Sequence, residues 1–279
     1  MTTRTLLLTT LAMLAFAGNS LLCRAALRDS GMDPASFTGI RLTAGAAVLW
    51  MLLALRSRPA ATHGSWWAAV ALFTYAAAFS YAYLHLDAGA GALLLFGAVQ
   101  LSMTAWGLFK GERLHRWQVT GMLLASAGLV ALLLPDSRTP SLPASLLMLA
   151  AGGAWGVYSL LGRGAPDPLA ATTGNFQRTL PMAALLGLFA LDGLDWNASG
   201  VIYALLSGGL ASGVGYALWY AALPGLAAMQ AASVQLSVPL LTALAGSLLL
   251  GETLTTRLLL AGVAILGGIA LILRFKQRA

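Results

Sequence analysis

Charge is what this sequence has least of. Of 279 residues only 9% are charged, 16 basic and 9 acidic, against 59% apolar residues and a mean hydropathy of +0.81. A water-soluble domain carries about 25% charged and about 45–50% apolar residues, so a soluble globular fold is excluded and the chain's solvent is largely lipid. The single cysteine, Cys23, excludes an intrachain disulfide and every multi-cysteine metal motif. A net charge of +7 does not point to nucleic acid, because the cations sit singly between apolar runs, whereas a phosphate-tracking surface needs them clustered. There is no Walker A sequence, no His-Glu-x-x-His helix and no pair of aspartates inside an apolar run. An ATP-driven pump within this chain and an intramembrane enzyme are set aside on that ground, and no cofactor or metal is expected.

What is present is a series of long apolar runs. A helix crossing a hydrocarbon core of about 30 Å needs about 20 mainly apolar residues. Ten segments meet that length: Leu6 to Ala26, Pro34 to Leu55, Ser65 to Leu84, Ala88 to Phe109, Trp117 to Leu134, Pro143 to Leu161, Leu169 to Leu191, Ala198 to Ala222, Ala227 to Leu250 and Leu258 to Phe275. The runs are continuous rather than alternating, which argues against a transmembrane barrel. Arg4, the stretch Leu6 to Leu14 and Ala15-Phe16-Ala17 imitate a signal peptide. The apolar character continues to Leu22 and part of the segment recurs later, so this is the first span.

The recurrence is an internal repeat. Ala15-Phe16-x-x-x-Ser20-Leu21-Leu22-x-Arg24 is matched by Ala154-Trp155-x-x-x-Ser159-Leu160-Leu161-x-Arg163, 139 residues on. Each is followed by Asp-Pro and an arginine in the next span: Asp33-Pro34 with Arg41, and Asp167-Pro168 with Arg178. Tyr83-x-x-Leu86 matches Tyr220-x-x-Leu223, and Gly111-Glu112-x-Leu114 matches Gly251-Glu252-x-Leu254. Five spans per unit is an odd number, so the second copy enters the membrane from the opposite side. The expected fold is therefore an all-α polytopic membrane protein of ten transmembrane helices, built as two inverted five-helix repeats, residues 1–138 and 139–279. With the N-terminus inside, one face collects Arg4, Arg56, Arg58, Lys110, Arg113, Arg116, Arg163, Arg274, Lys276 and Arg278, while Arg28, Arg138 and Arg257 fall on the other. By the positive-inside rule both termini are cytoplasmic.

Inverted repeats let two halves rock about a central site, which is the design of secondary transporters. The two five-span copies, the Gly-Glu ending the fourth span of each, and Pro239 thirteen residues before Glu252 resemble the EamA-type members of the drug/metabolite transporter superfamily. The resemblance covers nearly the whole chain and is greatest to the bacterial aromatic amino-acid exporters. It implies an inner-membrane secondary transporter that exports aromatic and other neutral amino acids and related small metabolites by alternating access around a central cavity. The partners implied are small-molecule substrate and the lipid bilayer, with no nucleic acid, and a monomer suffices. A multidrug or other metabolite exporter is the alternative reading, with a channel or a non-transporting membrane protein behind it. One position departs from the pattern: Val99 stands in the first half where Pro239 stands in the second.

Candidate substrate contacts are the polar and aromatic residues of the spans, since an amphipathic metabolite needs rings for its body and a few amides or hydroxyls for its polar end. They are Phe16, Asn19, Phe79, Tyr83, Phe96, Gln100, Trp155, Tyr158, Trp219, Tyr220 and Gln235, with Tyr81, Tyr216, Gln230 and Ser237 beside them in sequence. Tyr81, Tyr83 and Tyr220 equally suit an interfacial belt. Arg41 and Arg178 lie about 10 Å and about 15 Å along their helices from the preceding proline, where a cation is a functional residue by default. They suit gating or the attraction of a substrate carboxylate. Glu112 and Glu252 sit at span ends, and no Asp or Glu is central to any span, so proton antiport and facilitated export stand as alternatives. Pro181, Pro239, Gly152-x-x-x-Gly156 and Gly209-x-x-x-Gly213 are places where a helix bends or is closely approached.

Overall fold

A computed structural model describes residues 2–56, 62–111, 115–134, 140–162, 165–191, 195–226 and 234–275. Arg58, Glu112, Arg113, Arg138, Arg163, Gln230, Lys276 and Arg278 lie outside the described residues. Within them the chain is all-helical, in ten segments. They are α1 (Thr3–Asp29), α2 (Pro34–Ala54), α3 (Trp66–Tyr83), α4 (Ala88–Phe109), α5 (Arg116–Leu133), α6 (Leu142–Leu161), α7 (Pro168–Phe189), α8 (Ala198–Gly225), α9 (Ser237–Leu250) and α10 (Thr256–Arg274).

Seven of these, all but α3, α7 and α9, are long and apolar enough to cross a membrane. Helices α3 and α7 have the length, at 18 and 22 residues, but carry Thr, Tyr, Ser, Asn, Gln and Arg in place of aliphatic residues. The described part of α9 is 14 residues. Within that described part Pro239 falls in the first turn, where a missing N–H costs the helix nothing; residues 227–233, the start of the span expected from the sequence, lie outside the described residues.

The repeated motifs are the starts and stops of helices. Asp33 and Asp167 are N-caps, accepting from Ser36 N at 2.8 Å and Ala170 N at 3.1 Å, and the proline after each occupies the first helical turn. That arrangement satisfies one orphan N–H and removes another. The glycines of the two Gly-Glu pairs, Gly111 and Gly251, both have positive φ, 87° and 65°, so each ends its helix in a conformation that only glycine adopts without strain. Helices α1 and α8 depart from α geometry in π turns at Ala25–Asp29 and Leu206–Val214.

Helix contacts follow a pattern. Helix α6 packs on α3 and α4, as α1 packs on α8 and α9; α2 packs on α8, as α7 packs on α3; and α2–α7, α4–α9 and α5–α10 touch directly. Exchanging each helix with the one five places along maps this set onto itself. Large apolar side chains such as Leu188, Phe189, Leu248, Leu260 and Val263 cover the outside. Lipid tails are as apolar as these side chains, so close fit and polar contacts, rather than the hydrophobic effect, hold the helices together. Gly152 and Gly156 place α6 against Leu95 to Ser102 of α4, and Gly209 and Gly213 place α8 against Val48 of α2. The closest approach between two helices is at Gly208, where a Cβ would overlap the Arg41 carbonyl. Gly208→Val is expected to destabilise the protein by about 1–3 kcal/mol, read as a lower melting temperature in detergent. Gly187→Ala, with open space around it, is expected to leave the melting temperature unchanged.

Candidate functional site

Arg41 occupies the middle of the bundle at 3% exposure. Its Nη2 donates to the Tyr75 hydroxyl at 3.2 Å, and its guanidinium lies 5.4 Å from the Tyr75 ring centre and 4.9 Å from that of Phe79. Each cation–ring contact contributes about 0.5–2 kcal/mol, toward the upper end when desolvated. The Tyr75 hydroxyl also accepts from Asn19 Nδ2 at 3.5 Å, and Asn19 Oδ1 accepts from Ser207 Oγ at 2.7 Å. Helices α8, α1, α3 and α2 are thus tied by one polar chain, Ser207–Asn19–Tyr75–Arg41. Arg41 Nη1 is buried with no hydrogen-bond partner among the described residues. An unpaired buried donor costs about 1–3 kcal/mol, and more when charged.

Rings surround this chain. Tyr83, Phe79 and Tyr75 follow one another along α3, edge-to-face and tilted, with centroids 4.7 and 5.4 Å apart, Tyr75 meets Trp155 of α6 at 4.8 Å, and Trp155 meets Tyr216 of α8 at 5.5 Å. Tyr216 in turn meets Phe16 at 5.8 Å, Phe176 at 5.9 Å and Tyr220 at 6.3 Å, while Phe16 meets Trp219 at 6.2 Å. A second polar node joins α6, α7 and α8: the Tyr158 hydroxyl lies 3.5 Å from Thr172 Oγ1, which lies 3.1 Å from the Tyr220 hydroxyl. The rings of Tyr75, Phe79, Tyr83 and Tyr216 are buried. A surface hollow of about 460 Å³ lies elsewhere, between α5 and α10, lined by Ala127, Gly128, Ala131 and Ala264 among others.

Of the candidates, Phe16, Asn19, Phe79, Tyr83, Trp155, Tyr158, Trp219, Tyr220 and Arg41 belong to this connected cluster. Phe96 sits beside it, packed against the small apolar cluster that contains Trp219 and Val238. Gln100 and Gln235 are half-buried on α4 and before α9, and their amides enter none of the cluster's hydrogen bonds. Arg178 is elsewhere: its Nη1 donates to the carbonyls of Gly174 at 2.9 Å and His63 at 3.4 Å, so it ties α7 to the segment leading into α3. At the level of Arg41, the aligned position 134 residues on is Asn175, whose Oδ1 accepts from Ser65 N at 3.0 Å. The sequence reading passes over Tyr75, Thr172, Phe176 and Ser207. A signal for Tyr75 is present: Tyr75, Phe79 and Tyr83 recur every four residues and form one helix face, whereas Tyr81 lies off that face.

Charged residues gather where the C-terminal ends of α1 and α9 meet the N-terminus of α4. Arg24, 4% exposed, lies 3.3 Å from Glu252, 3.3 Å from Asp29 and 3.9 Å from Asp87, and Arg28 reaches Asp87 at 3.0 Å. Both Glu252 oxygens accept from Ala88 N at 2.9 Å, at the start of α4. Burial raises the Glu252 carboxyl pKa; the Ala88 N–H opposes the shift, the Asp87 charge adds to it and Arg24 opposes it. On acidification Glu252 therefore takes up a proton before an exposed glutamate does. At the opposite end α2 and α7 are joined by Arg56 and Asp167 at 2.6 Å, both partly exposed. Arg24→Gln leaves three carboxylates facing one another, so it is expected to cost about 3–5 kcal/mol, whereas Arg56→Gln costs at most about 1 kcal/mol; melting of the two purified variants checks the order.

The EamA-like transporter family model matches the chain twice, at residues 3–134 and 142–274. An uncharacterized protein of Pseudomonas aeruginosa is 62% identical over 97% of this chain and 94% of its own length. An Archaeoglobus fulgidus protein described as an uncharacterized transporter is 26% identical, covering 97% of this chain and 98% of that one. A Salmonella typhimurium protein named "probable amino-acid metabolite efflux pump" is 26% identical over 66% of this chain and 67% of its own. A solved crystal structure shares the fold, with a TM-score of 0.67, 21% identity, and 97% of this chain and 96% of that chain covered.

Proposed function

Because the chain belongs to the EamA-like transporter family, a multi-pass membrane protein of a transporter family, we propose that it exports amino acids, aromatic and other neutral ones, and related small metabolites by alternating access. The observation that carries this reading is the double match of one transporter model, once to each half. The two halves, 1–138 and 139–279, are proposed to be inverted repeats of five spans each, with α3, α7 and α9 completing the ten. Two findings support this. The most extensive helix contacts map onto themselves when the halves are exchanged, and α3 and α7, too polar to stand alone in lipid, are packed against each other and against α6 and α2. Polar intramembrane helices are tolerated where they face a protein interior.

Substrate contact is assigned to the rings and polar groups around Arg41: Phe16, Asn19, Phe79, Tyr83, Trp155, Tyr158, Trp219 and Tyr220. They come from both halves, so relative motion of the halves parts them. Phe96 extends the apolar wall, and Arg178 acts at the α7–α3 junction. The orientation proposed is that of the bacterial inner membrane with both termini cytoplasmic, supported by the basic residues on that side. Exposed Trp66, Trp67, Trp106 and Trp117 cluster at the same helix ends, with Lys110 over Trp106 and Arg116 over Trp117.

Purified protein in liposomes loaded with an amino-acid panel is expected to release phenylalanine, tryptophan or a neutral aliphatic amino acid faster than empty liposomes. Efflux with and without a proton gradient separates antiport from facilitated export. Absence of flux for all amino acids and for small aromatic drugs contradicts the proposal.

A further inference from the structure

Resting on the transport reading above, we propose that Arg41 is the carboxylate-binding group of the translocation site, and that the molecules moved are monocarboxylates with an apolar or aromatic body. Three observations on one residue point there. Arg41 is a guanidinium 3% exposed in the middle of the bundle, a group that stays charged at any physiological pH. It has no acidic partner among the described residues, whose ion pairs are made by Arg24, Arg28 and Arg56. One of its two terminal nitrogens, Nη2, is held by Tyr75, while Nη1 is buried and has no partner among the described residues.

A structural arginine of a membrane interior pairs with a carboxylate or with backbone carbonyls, as Arg178 does with Gly174 and His63. Arg41 instead holds an open donor beside the rings of Tyr75 and Phe79. The planar fork of a guanidinium matches the two oxygens of a carboxylate, and one buried cation is neutralised by one negative charge. The Tyr75 hydroxyl lies within reach of the same anion. The remaining lining is aromatic, with the neutral hydroxyls of Tyr158, Thr172 and Tyr220 on the far side, so the body of the substrate meets rings. An amine without a carboxylate finds a like charge there and no acid to compensate it. In the state described the rings close over Nη1, so binding requires that the halves part.

The test uses the full chain in liposomes, following labelled phenylalanine and its competition by phenylacetate, phenylalaninamide and phenethylamine. Phenylacetate is expected to compete within a few-fold of phenylalanine, and the amide and the amine at least tenfold more weakly. Arg41→Gln is expected to raise KM for phenylalanine at least tenfold and to erase the preference for carboxylates. Arg41→Lys, which keeps the charge and loses the fork, is expected to raise KM less and to retain the preference. Tyr75→Phe, which leaves the guanidinium in place, is expected to raise KM several-fold with kcat nearly unchanged, a split that general loosening of the fold does not give. Equal competition by phenethylamine and phenylacetate, or a folded Arg41→Gln variant that keeps wild-type discrimination, overturns the proposal while the transport reading stands. If the wild-type protein moves none of these compounds and no small aromatic drug, both fall.

Discussion

A permanent positive charge in the interior of an apolar bundle is the constraint around which this molecule is arranged. Arg41 cannot lose its proton and cannot reach water from its position on α2, so its neighbours have to accommodate it. Tyr75 supplies a hydroxyl and a ring face, Phe79 a second ring, and Asn19 and Ser207 hold Tyr75 in register from the neighbouring helices. Gly208 lets α8 lie against the backbone at Arg41, which brings Ser207 within reach of Asn19. The π turn at Leu206–Val214 falls on this same stretch. Such turns are frequent at functional sites, and Ser207 of the polar chain lies within this one.

The centre and the two ends are held by different forces. Rings from both halves close the centre, each contact small and replaceable by a substrate's own apolar surface. At one end Arg24 sits buried among Glu252, Asp29 and Asp87, with the N-terminus of α4 drawn in through Ala88. At the other, Arg56 meets Asp167 in a more exposed setting, and Ser65 and His63 lie on α7 through Asn175 and Arg178. Alternating access requires that one end open while the other holds, so a substrate shifts the equilibrium only by as much as it binds one arrangement better than the other. An anion that satisfies Arg41 supplies such a difference.

Much of the architecture was legible because polar residues are so few. The Asp-Pro pairs and the Gly-Glu pairs stood out against Leu and Ala, and the structure shows the physical reason for their recurrence: an N-cap followed by a first-turn proline, and a left-handed glycine at a helix end. The same scarcity drew attention to Arg41. Arg178 matches Arg41 by motif, yet the register along the helix differs by about one turn, so the position level with Arg41 is Asn175 and Arg178 bonds the carbonyls of Gly174 and His63. Tyr75 went unseen because it stands in mid-span among alanines, and only the four-residue spacing with Phe79 and Tyr83 reveals the shared face. Ser207 and Thr172 had no sequence signal at all. Their importance comes from which helices touch, which local spacing does not encode.

Everything proposed for the centre of the bundle turns on the buried Nη1 of Arg41 meeting a substrate carboxylate. Nitrogen-15 spectra of arginine-labelled protein in lipid nanodiscs read that contact directly, with the Arg41 guanidinium signal assigned by its absence from the Arg41→Lys variant. Titration with phenylalanine or phenylacetate is predicted to shift the Arg41 side-chain resonances, while phenylalaninamide at the same concentration leaves them in place. Resonances that do not move with either carboxylate, in protein shown to transport phenylalanine, would contradict the account.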